Sequence, residues 1–332
     1  MNDIPPTVSI HRSESPLPAR PGLLRIGTRG SALAVAQTTT VAEAIAAATG
    51  LDVVLVLVTT HGDTSRAPLS QLGGTGVFVS ALRDALLDSE CDIAVHSLKD
   101  LPTGPCEGIV IGAIPERADA RDALCARDGF SLADLPVGAR VGTGSPRRVA
   151  QLLARRPDLD VQDLRGNVDT RLARINADLD AVVLACAGLD RLGRSSVITE
   201  RFSLDDAPTA PGQGALAIEV RAEDASVEPY ATALAAIDDA ATRACALAER
   251  ALLAALEAGC AAPIGAHASI DDGHLSLSGH VYALDGSSRL TATAGRDWHP
   301  SDSAAAEDLG RAVAADLLAR GAAGLAPLGA AR

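Results

Sequence analysis

Leu23-Leu24-Arg25-Ile26-Gly27-Thr28-Arg29-Gly30-Ser31 is the stretch that decides the fold. The apolar run reads as a short buried strand over 23–28. Arg29-Gly30 turns the chain, and Ser31 stands where a helix N-cap belongs, ahead of an alanine-rich apolar helix over about 32–48. Residues 53–60 are almost wholly apolar and rich in β-branched side chains, as a central parallel strand requires. The glycine-rich loop Gly73-Gly74-Thr75-Gly76 leads into a helix over 77–89. Residues 92–97 form another short buried strand, ending in Leu98-Lys99-Asp100-Leu101-Pro102. Strands alternating with helices predict a parallel α/β sheet.

The pattern then restarts. Arg140-Val141-Gly142-Thr143-Gly144-Ser145 repeats the first turn with one residue fewer, and in both copies a glutamine, Gln37 or Gln151, lies six residues after the serine. Pro146 takes the first helical position, where its missing N–H costs nothing. A strand over 159–164, a helix over 167–176, a strand over 181–186 and a turn at Ala187-Gly188 follow. Two similar α/β domains are the economical reading, with chance recurrence of a Gly-Thr turn as the alternative. Residues 205–214 read as loop and 215–220 as strand. A strong helix pattern over 241–258 ends at Gly259. Three strands (264–270, 274–283, 288–294) with hairpin turns and a last helix over 303–320 make a small antiparallel α+β unit.

Composition excludes several function classes. The formal net charge of −13 argues against nucleic-acid binding, which needs a basic surface, and 2% aromatic residues argue against base stacking. No apolar run approaches the ~20 residues of a membrane span. The prolines at 5, 6, 16, 18 and 21 mark residues 1–21 as a flexible tail with no signal-peptide core, so a cytoplasmic protein is expected. The 6 cysteines include no CxxC pair, so no metal site is expected.

Four constellations carry chemistry. Each Gly-Thr…Ser turn offers N–H groups and a hydroxyl at a helix N-terminus, which suits an anion, though an ordinary helix cap looks the same. Residues 140–194 hold ten arginines against seven acids in a chain that is otherwise acidic. Arg147, Arg148 and Arg165 stand where helices begin or strands end, the ligand-binding ends of open α/β sheets, and several together suit a polycarboxylate or polyphosphate ligand. Arg155, Arg156, Arg174 and Arg194 read as solvated surface charges. His96-Ser97-Leu98-Lys99-Asp100 sets an acid beside the only lysine at a strand terminus, fit for proton transfer and anion binding, or for a structural ion pair. Gly259-Cys260 places a thiol just past a helix end, either as a small buried hydrophobe or as a nucleophile and tether.

Taken in order, these strings resemble one family. Ile26-Gly27-Thr28-Arg29-Gly30-Ser31, His96-Ser97-Leu98-Lys99-Asp100-Leu101-Pro102, Gly142-Thr143-Gly144-Ser145-Pro146-Arg147-Arg148, Leu164-Arg165-Gly166-Asn167-Val168 with Thr170-Arg171-Leu172, Ala187-Gly188-Leu189 with Arg191-Leu192-Gly193, Pro211-Gly212-Gln213-Gly214 and Gly259-Cys260 closely resemble the porphobilinogen deaminases, or hydroxymethylbilane synthases. The resemblance runs from about residue 23 into the C-terminal domain.

It implies two lobes like those of a periplasmic-binding protein, with mostly parallel sheets, and a small antiparallel α+β domain. The implied boundaries are a tail at 1–21, domain 1 at 22–117 with 213–238, domain 2 at 118–212 and domain 3 at 239–332. It implies a transferase that condenses four porphobilinogens head to tail, with loss of ammonia, on a dipyrromethane cofactor held by a thioether to Cys260. The product is hydroxymethylbilane. Arg29, Ser31, Arg147, Arg148, Arg165, Arg171 and Arg191 match carboxylate contacts, assisted by Ser97, Lys99, Thr143, Ser145 and Gly166. Asp100 matches the acid that bonds pyrrole N–H groups, steadies the azafulvenium cation left by departing ammonia and helps proton transfer. A monomer is expected, with transient hand-off of product to uroporphyrinogen-III synthase. Many relatives have Gln-Ser-Pro-Leu where this chain has Gly30-Ser31-Ala32-Leu33, and a lysine where it has Thr75, so no role is assigned to that loop. The rival readings are a two-lobed anion-binding or effector-sensing module without catalysis, and a transferase of phosphorylated substrates.

Overall fold

The computed structural model describes residues 10–58, 76–257, 262–300 and 302–328. In chain order the elements are β1 (His11–Ser13), β2 (Leu23–Arg29), α1 (Ala32–Thr49), β3 (Asp52–Val58), α2 (Gly76–Leu87), β4 (Ile93–Ser97) and β5 (Ile109–Ala113). Then come β6 (Asp122–Ala126), β7 (Arg140–Gly142), α3 (Pro146–Arg155), β8 (Asp160–Gln162), α4 (Val168–Leu172), β9 (Ala181–Ala185), α5 (Cys186–Arg191) and β10 (Glu200–Arg201). The last are β11 (Leu216–Arg221), α6 (Tyr230–Ala235), α7 (Ala240–Ala255), β12 (Ile264–Asp271), β13 (His274–Tyr282), β14 (Arg289–Asp297) and α8 (Ser303–Ala319). The chain divides into two compact units, 1–116 with 216–239, and 117–215 with 240–332.

The first unit is built on a sheet of order β1-β3-β2-β4-β11-β5. Its pairs are parallel from β1 to β4, and β11 runs antiparallel to both β4 and β5. Val53–Val56 of β3 are buried on both faces, which is why this stretch carries no apolar–polar alternation. Helix α1 covers one face, setting Val41, Ala42 and Ile45 against Leu24, Ile26 and Val95. Helix α2 covers the other with Leu82, Ala85 and Leu86. The expected tail is structured from β1 onward: His11–Ser13 pair in parallel with Val54–Val56, and Leu17 O accepts a 2.8 Å bond from Arg25 Nη1. The open edge of β3 offers backbone partners that the composition of the tail does not report.

The second unit contains a sheet of order β10-β6-β9-β7-β8. Its parallel core β8-β7-β9 and antiparallel neighbour β6 repeat the order β3-β2-β4 with β11, although β6 precedes its core in the chain and β11 follows its own. The two Gly-Thr turns therefore lie at the ends of equivalent strands, β2 and β7. Both sheets are mixed rather than wholly parallel.

The same unit holds the antiparallel sheet β12-β13-β14, under α7 and α8. Leu252, Leu275, Leu277, Val281, Val313 and Leu317 are 0–1% exposed at this interface. Ala266 N donates to Thr209 O at 2.8 Å, so the C-terminal sheet packs in one unit with residues the sequence reading assigned to a separate domain.

His280 is buried in β13, with Nε2 2.7 Å from Ser278 Oγ and Nδ1 3.0 Å from Thr291 Oγ1. Burial pushes its imidazole down from 6.5 to about 4. Between those values the unfolded chain binds a proton that the fold refuses. Stability from this ring is full above pH 6.5 and falls by about 1.4 kcal/mol per pH unit toward pH 4. Denaturant unfolding measured from pH 7.5 to 4.5 should show that slope, and His280→Asn should flatten it. Equal slopes in the two proteins would assign the acid sensitivity elsewhere.

Candidate active site

In the first unit, β4 ends in a single 3-10 turn, Leu98–Asp100, closed by Leu101 N donating to Leu98 O at 3.1 Å. Leu98 and Leu101 are buried on either side. Lys99 and Asp100 are thereby left half-buried beyond the carboxyl end of the strand, where α/β sheets present ligand groups. Among the described residues no hydrogen bond or ion pair engages the Asp100 carboxylate. Ser97 Oγ accepts from Gln37 Nε2 at 3.1 Å, so the repeated glutamine of this unit holds a predicted site residue. Ser31 caps α1 through Ala34 N at 3.3 Å, and half-buried Arg29 ends β2.

Beside β4, on its sheet neighbour β11, lies a charged group that sequence reading missed. Glu219 of β11, 2% exposed, accepts from Arg83 Nε and Nη2 at 3.0 and 2.6 Å and faces His96 Nε2 at 3.1 Å. Burial alone would raise this carboxyl, but His96 and Arg83 outweigh it and hold it at about 2. The only signal was a lone acid inside the apolar run over 215–220.

In the second unit, Ser145 caps α3 through Arg148 N at 3.5 Å, and Thr143 Oγ1 accepts from Ser145 N at 3.3 Å. A Cβ on Gly144 would lie 2.6 Å from Leu164 O, so glycine lets this turn close onto the 164–166 segment. Arg147 and Arg148 are buried, and both reach Asp122. Arg148 Nη2 donates to Asp122 Oδ1 at 2.6 Å. Arg147 Nη1 spends its hydrogens on Gln151 Oε1 at 2.7 Å and Pro208 O at 3.0 Å, and lies 2.8 Å from Asp122 Oδ2 as an ion-pair contact. Gln213 Nε2 adds a 2.8 Å bond to Asp122 Oδ1. Burial opposes the Asp122 charge, yet the two guanidiniums hold its carboxyl far below the usual range. Burial also pushes Arg147 down, against the pull of Asp122 and with the push of Arg148. The Nε atoms of both arginines are buried without a partner. The sequence signalled the two arginines but neither Asp122 nor the depth of the cluster.

Arg165 is exposed, with Nε 3.2 Å from Asp163 Oδ2. Gly166 has φ +105, a conformation for glycine, and its carbonyl accepts from Arg171 Nε at 2.7 Å. Helix α4 is only five residues long, shorter than the span over 167–176 read from the sequence. Arg191 is half-buried. Its Nη2 donates to Gly214 O at 2.8 Å, no acid among the described residues pairs with it, and burial pushes its guanidinium down. Arg174 pairs with Asp178, Arg194 with Asp169, Arg156 with Asp158, and Arg155 lies 5.1 Å over the Phe202 ring. Cys260 and Thr75 lie outside the described residues. Among those described, no group of three or more His, Cys, Asp or Glu could hold a metal, and no helix is long and apolar enough to cross a membrane.

Comparison with known proteins matches residues 24–229 to the family model "Porphobilinogen deaminase, dipyromethane cofactor binding domain" and residues 243–319 to "Porphobilinogen deaminase, C-terminal domain". The chain is 62% identical over 322 residues to a porphobilinogen deaminase of Leifsonia xyli subsp. xyli, covering 95% of this chain and 98% of that protein. It is 56% identical over 304 residues to one of Micrococcus luteus, with 81% of each chain covered. It is 55% identical over 302 residues to one of Thermobifida fusca, covering 90% of this chain and 94% of that one. The chain is a transferase of tetrapyrrole synthesis that works with a dipyrromethane cofactor, and it belongs to the porphobilinogen deaminase family.

Proposed function

We propose the following division of labour for the head-to-tail condensation of four porphobilinogens, with loss of ammonia, to hydroxymethylbilane. Each porphobilinogen carries an acetate and a propionate, so a dipyrromethane built from two of them brings several carboxylates. The observation that carries the reading is the charge mismatch at Asp122. Two buried guanidiniums share one carboxylate, and each keeps an unpartnered Nε. A polycarboxylate supplies the missing negative charge. Arg191, desolvated with no acid beside it among the described residues, fits the same ligand. When bound, the dipyrromethane supplies the pyrrole carbon at which the chain grows. Cys260 would hold it through a thioether, and Arg147, Arg148, Arg165, Arg171, Arg191, Thr143, Ser145 and the Gly166 backbone would hold carboxylates from the second unit. Arg29, Ser31, Ser97 and Lys99 would do so from the first. Asp100, with no partner among the described residues, is left to accept pyrrole N–H bonds and to face the cation formed as ammonia leaves. A non-catalytic anion-binding module would have no use for that carboxylate.

Arg147→Ala and Arg165→Ala test the carboxylate contacts. Each should lower the fraction of purified chain carrying the cofactor mass, or stall elongation before four rings, with Arg147→Ala reducing kcat/KM by about 10–100-fold. Normal loading and elongation in both variants would sink the reading.

The same proposal includes three domains, at 22–117 with 213–238, 118–212 and 239–332, in a cytoplasmic monomer that hands its product to uroporphyrinogen-III synthase. The monomer is supported by the scatter of exposed large apolar side chains, such as Leu87, Val137, Val227 and Leu284, along the chain.

A further inference from the structure

We infer that Gln151 is a positioning residue for Arg147, and that Tyr282 of the C-terminal sheet fixes the orientation in which Gln151 acts. The inference rests on the reading of Arg147 as a carboxylate contact.

Gln151 and Gln37 are the glutamines of the internal repeat. Gln37 is buried against Ser97, and Gln151 is buried against Arg147 one helical turn earlier on α3. In each unit the repeated glutamine therefore holds a side chain of the proposed site. The chemistry at Gln151 is specific. Its Nε2 has two hydrogens and two acceptors, Pro208 O at 2.8 Å and Tyr282 Oη at 3.2 Å. With both hydrogens committed, Oε1 must face Arg147 Nη1, at 2.7 Å. A flipped amide would set N–H groups against a guanidinium and an oxygen against a carbonyl.

Tyr282 is 1% exposed and stacks on His280, with ring centroids 6.3 Å apart and planes 19° apart, so its phenol cannot swing away. Gln151 and Pro208 O together saturate Nη1. The Nε/Nη2 edge of Arg147 is left uncommitted by any described hydrogen bond, and that is the edge with the parallel N–H pair that grips a carboxylate. Without Gln151, Nη1 loses one of its two hydrogen-bond acceptors and is free to turn onto the ligand, and the fork loses its fixed direction.

Three single variants and two doubles test this, each read by intact mass for cofactor loading and by steady-state kinetics on the loaded enzyme. Gln151→Met should raise KM for porphobilinogen by about tenfold, leave kcat within about twofold and lower the loaded fraction. Tyr282→Phe, which keeps its packing, should move both readouts the same way by a smaller factor, about threefold. In an Arg147→Ala background neither substitution should change either readout further. If Gln151→Met does not fold, Tyr282→Phe and its double variant decide. Unchanged KM and loading in the singles, or effects that multiply fully on top of Arg147→Ala, would overturn the inference. Arg147→Ala behaving as wild type would instead overturn the parent reading.

Discussion

Asp100→Asn is expected to lower porphobilinogen turnover by roughly a thousandfold while the chain still folds and still carries its cofactor. The expected loss is electrostatic. Asparagine keeps the size and one acceptor oxygen of the side chain, so contacts with pyrrole N–H groups survive in part. What it loses is the negative charge that, in the proposed mechanism, faces a carbon centre becoming positive as ammonia departs. In the structure this charge is half-buried at the end of β4 and is not spent on any ion pair among the described residues. The 3-10 turn that presents it is pinned by buried Leu98 and Leu101, and neither depends on the charge. Circular dichroism and intact mass should therefore match the wild type, with the loss confined to kcat. Turnover within a few-fold of normal would remove Asp100 from the chemistry. Loss of the folded signal would show that the carboxylate is structural.

The elements that frame this turn were legible because their signals are local. β2, α1 and β3 follow from an apolar run, a serine cap and a β-branched run, and the structure places them at Leu23–Arg29, Ala32–Thr49 and Asp52–Val58. The repeat was legible for the same reason, since Gly-Thr…Ser and its glutamine recur at fixed spacing. β5 and β6 were not read. Each is five residues long, and β5 lies at a sheet edge with Val110 exposed, so neither carries a strong period. The antiparallel placement of β11 depends on which strands remain open when the chain returns to the first sheet, and that is a long-range property.

The same divide runs through the site. Arg147 and Arg148 announced themselves as a charged pair behind a helix cap. Asp122 gave no such sign, because one aspartate at the start of a strand looks like a surface residue until tertiary packing buries it. Glu219 and Arg83 meet across 136 residues of sequence, and no spacing rule connects them. Sequence patterns expose what a residue does with its neighbours in the chain. Buried counter-charges belong to neighbours in space, so they surface only with the fold.

Cys260→Ala is expected to yield a chain whose intact mass equals that of its sequence and whose turnover is lost altogether, since no other cysteine is placed to substitute. Cys91, Cys125, Cys186 and Cys245 are buried, and burial pushes the first three thiols up to about 12, which leaves almost no thiolate at neutral pH. Cys106 is only partly buried, and its Sγ donates to Glu107 O at 3.9 Å. In sequence, Cys260 follows α7 by a few residues and precedes Pro263 and β12; α7 and β12 are elements of one compact unit. Cys106→Ala serves as the control and should keep both the added mass and the activity. Wild-type chain purified from cells that make pyrrole precursors should carry the added mass on the peptide containing Cys260. An active enzyme with a bare, alkylatable thiol at 260 would show that the primer is held some other way, and would leave the arginines binding a ligand that is not covalently attached.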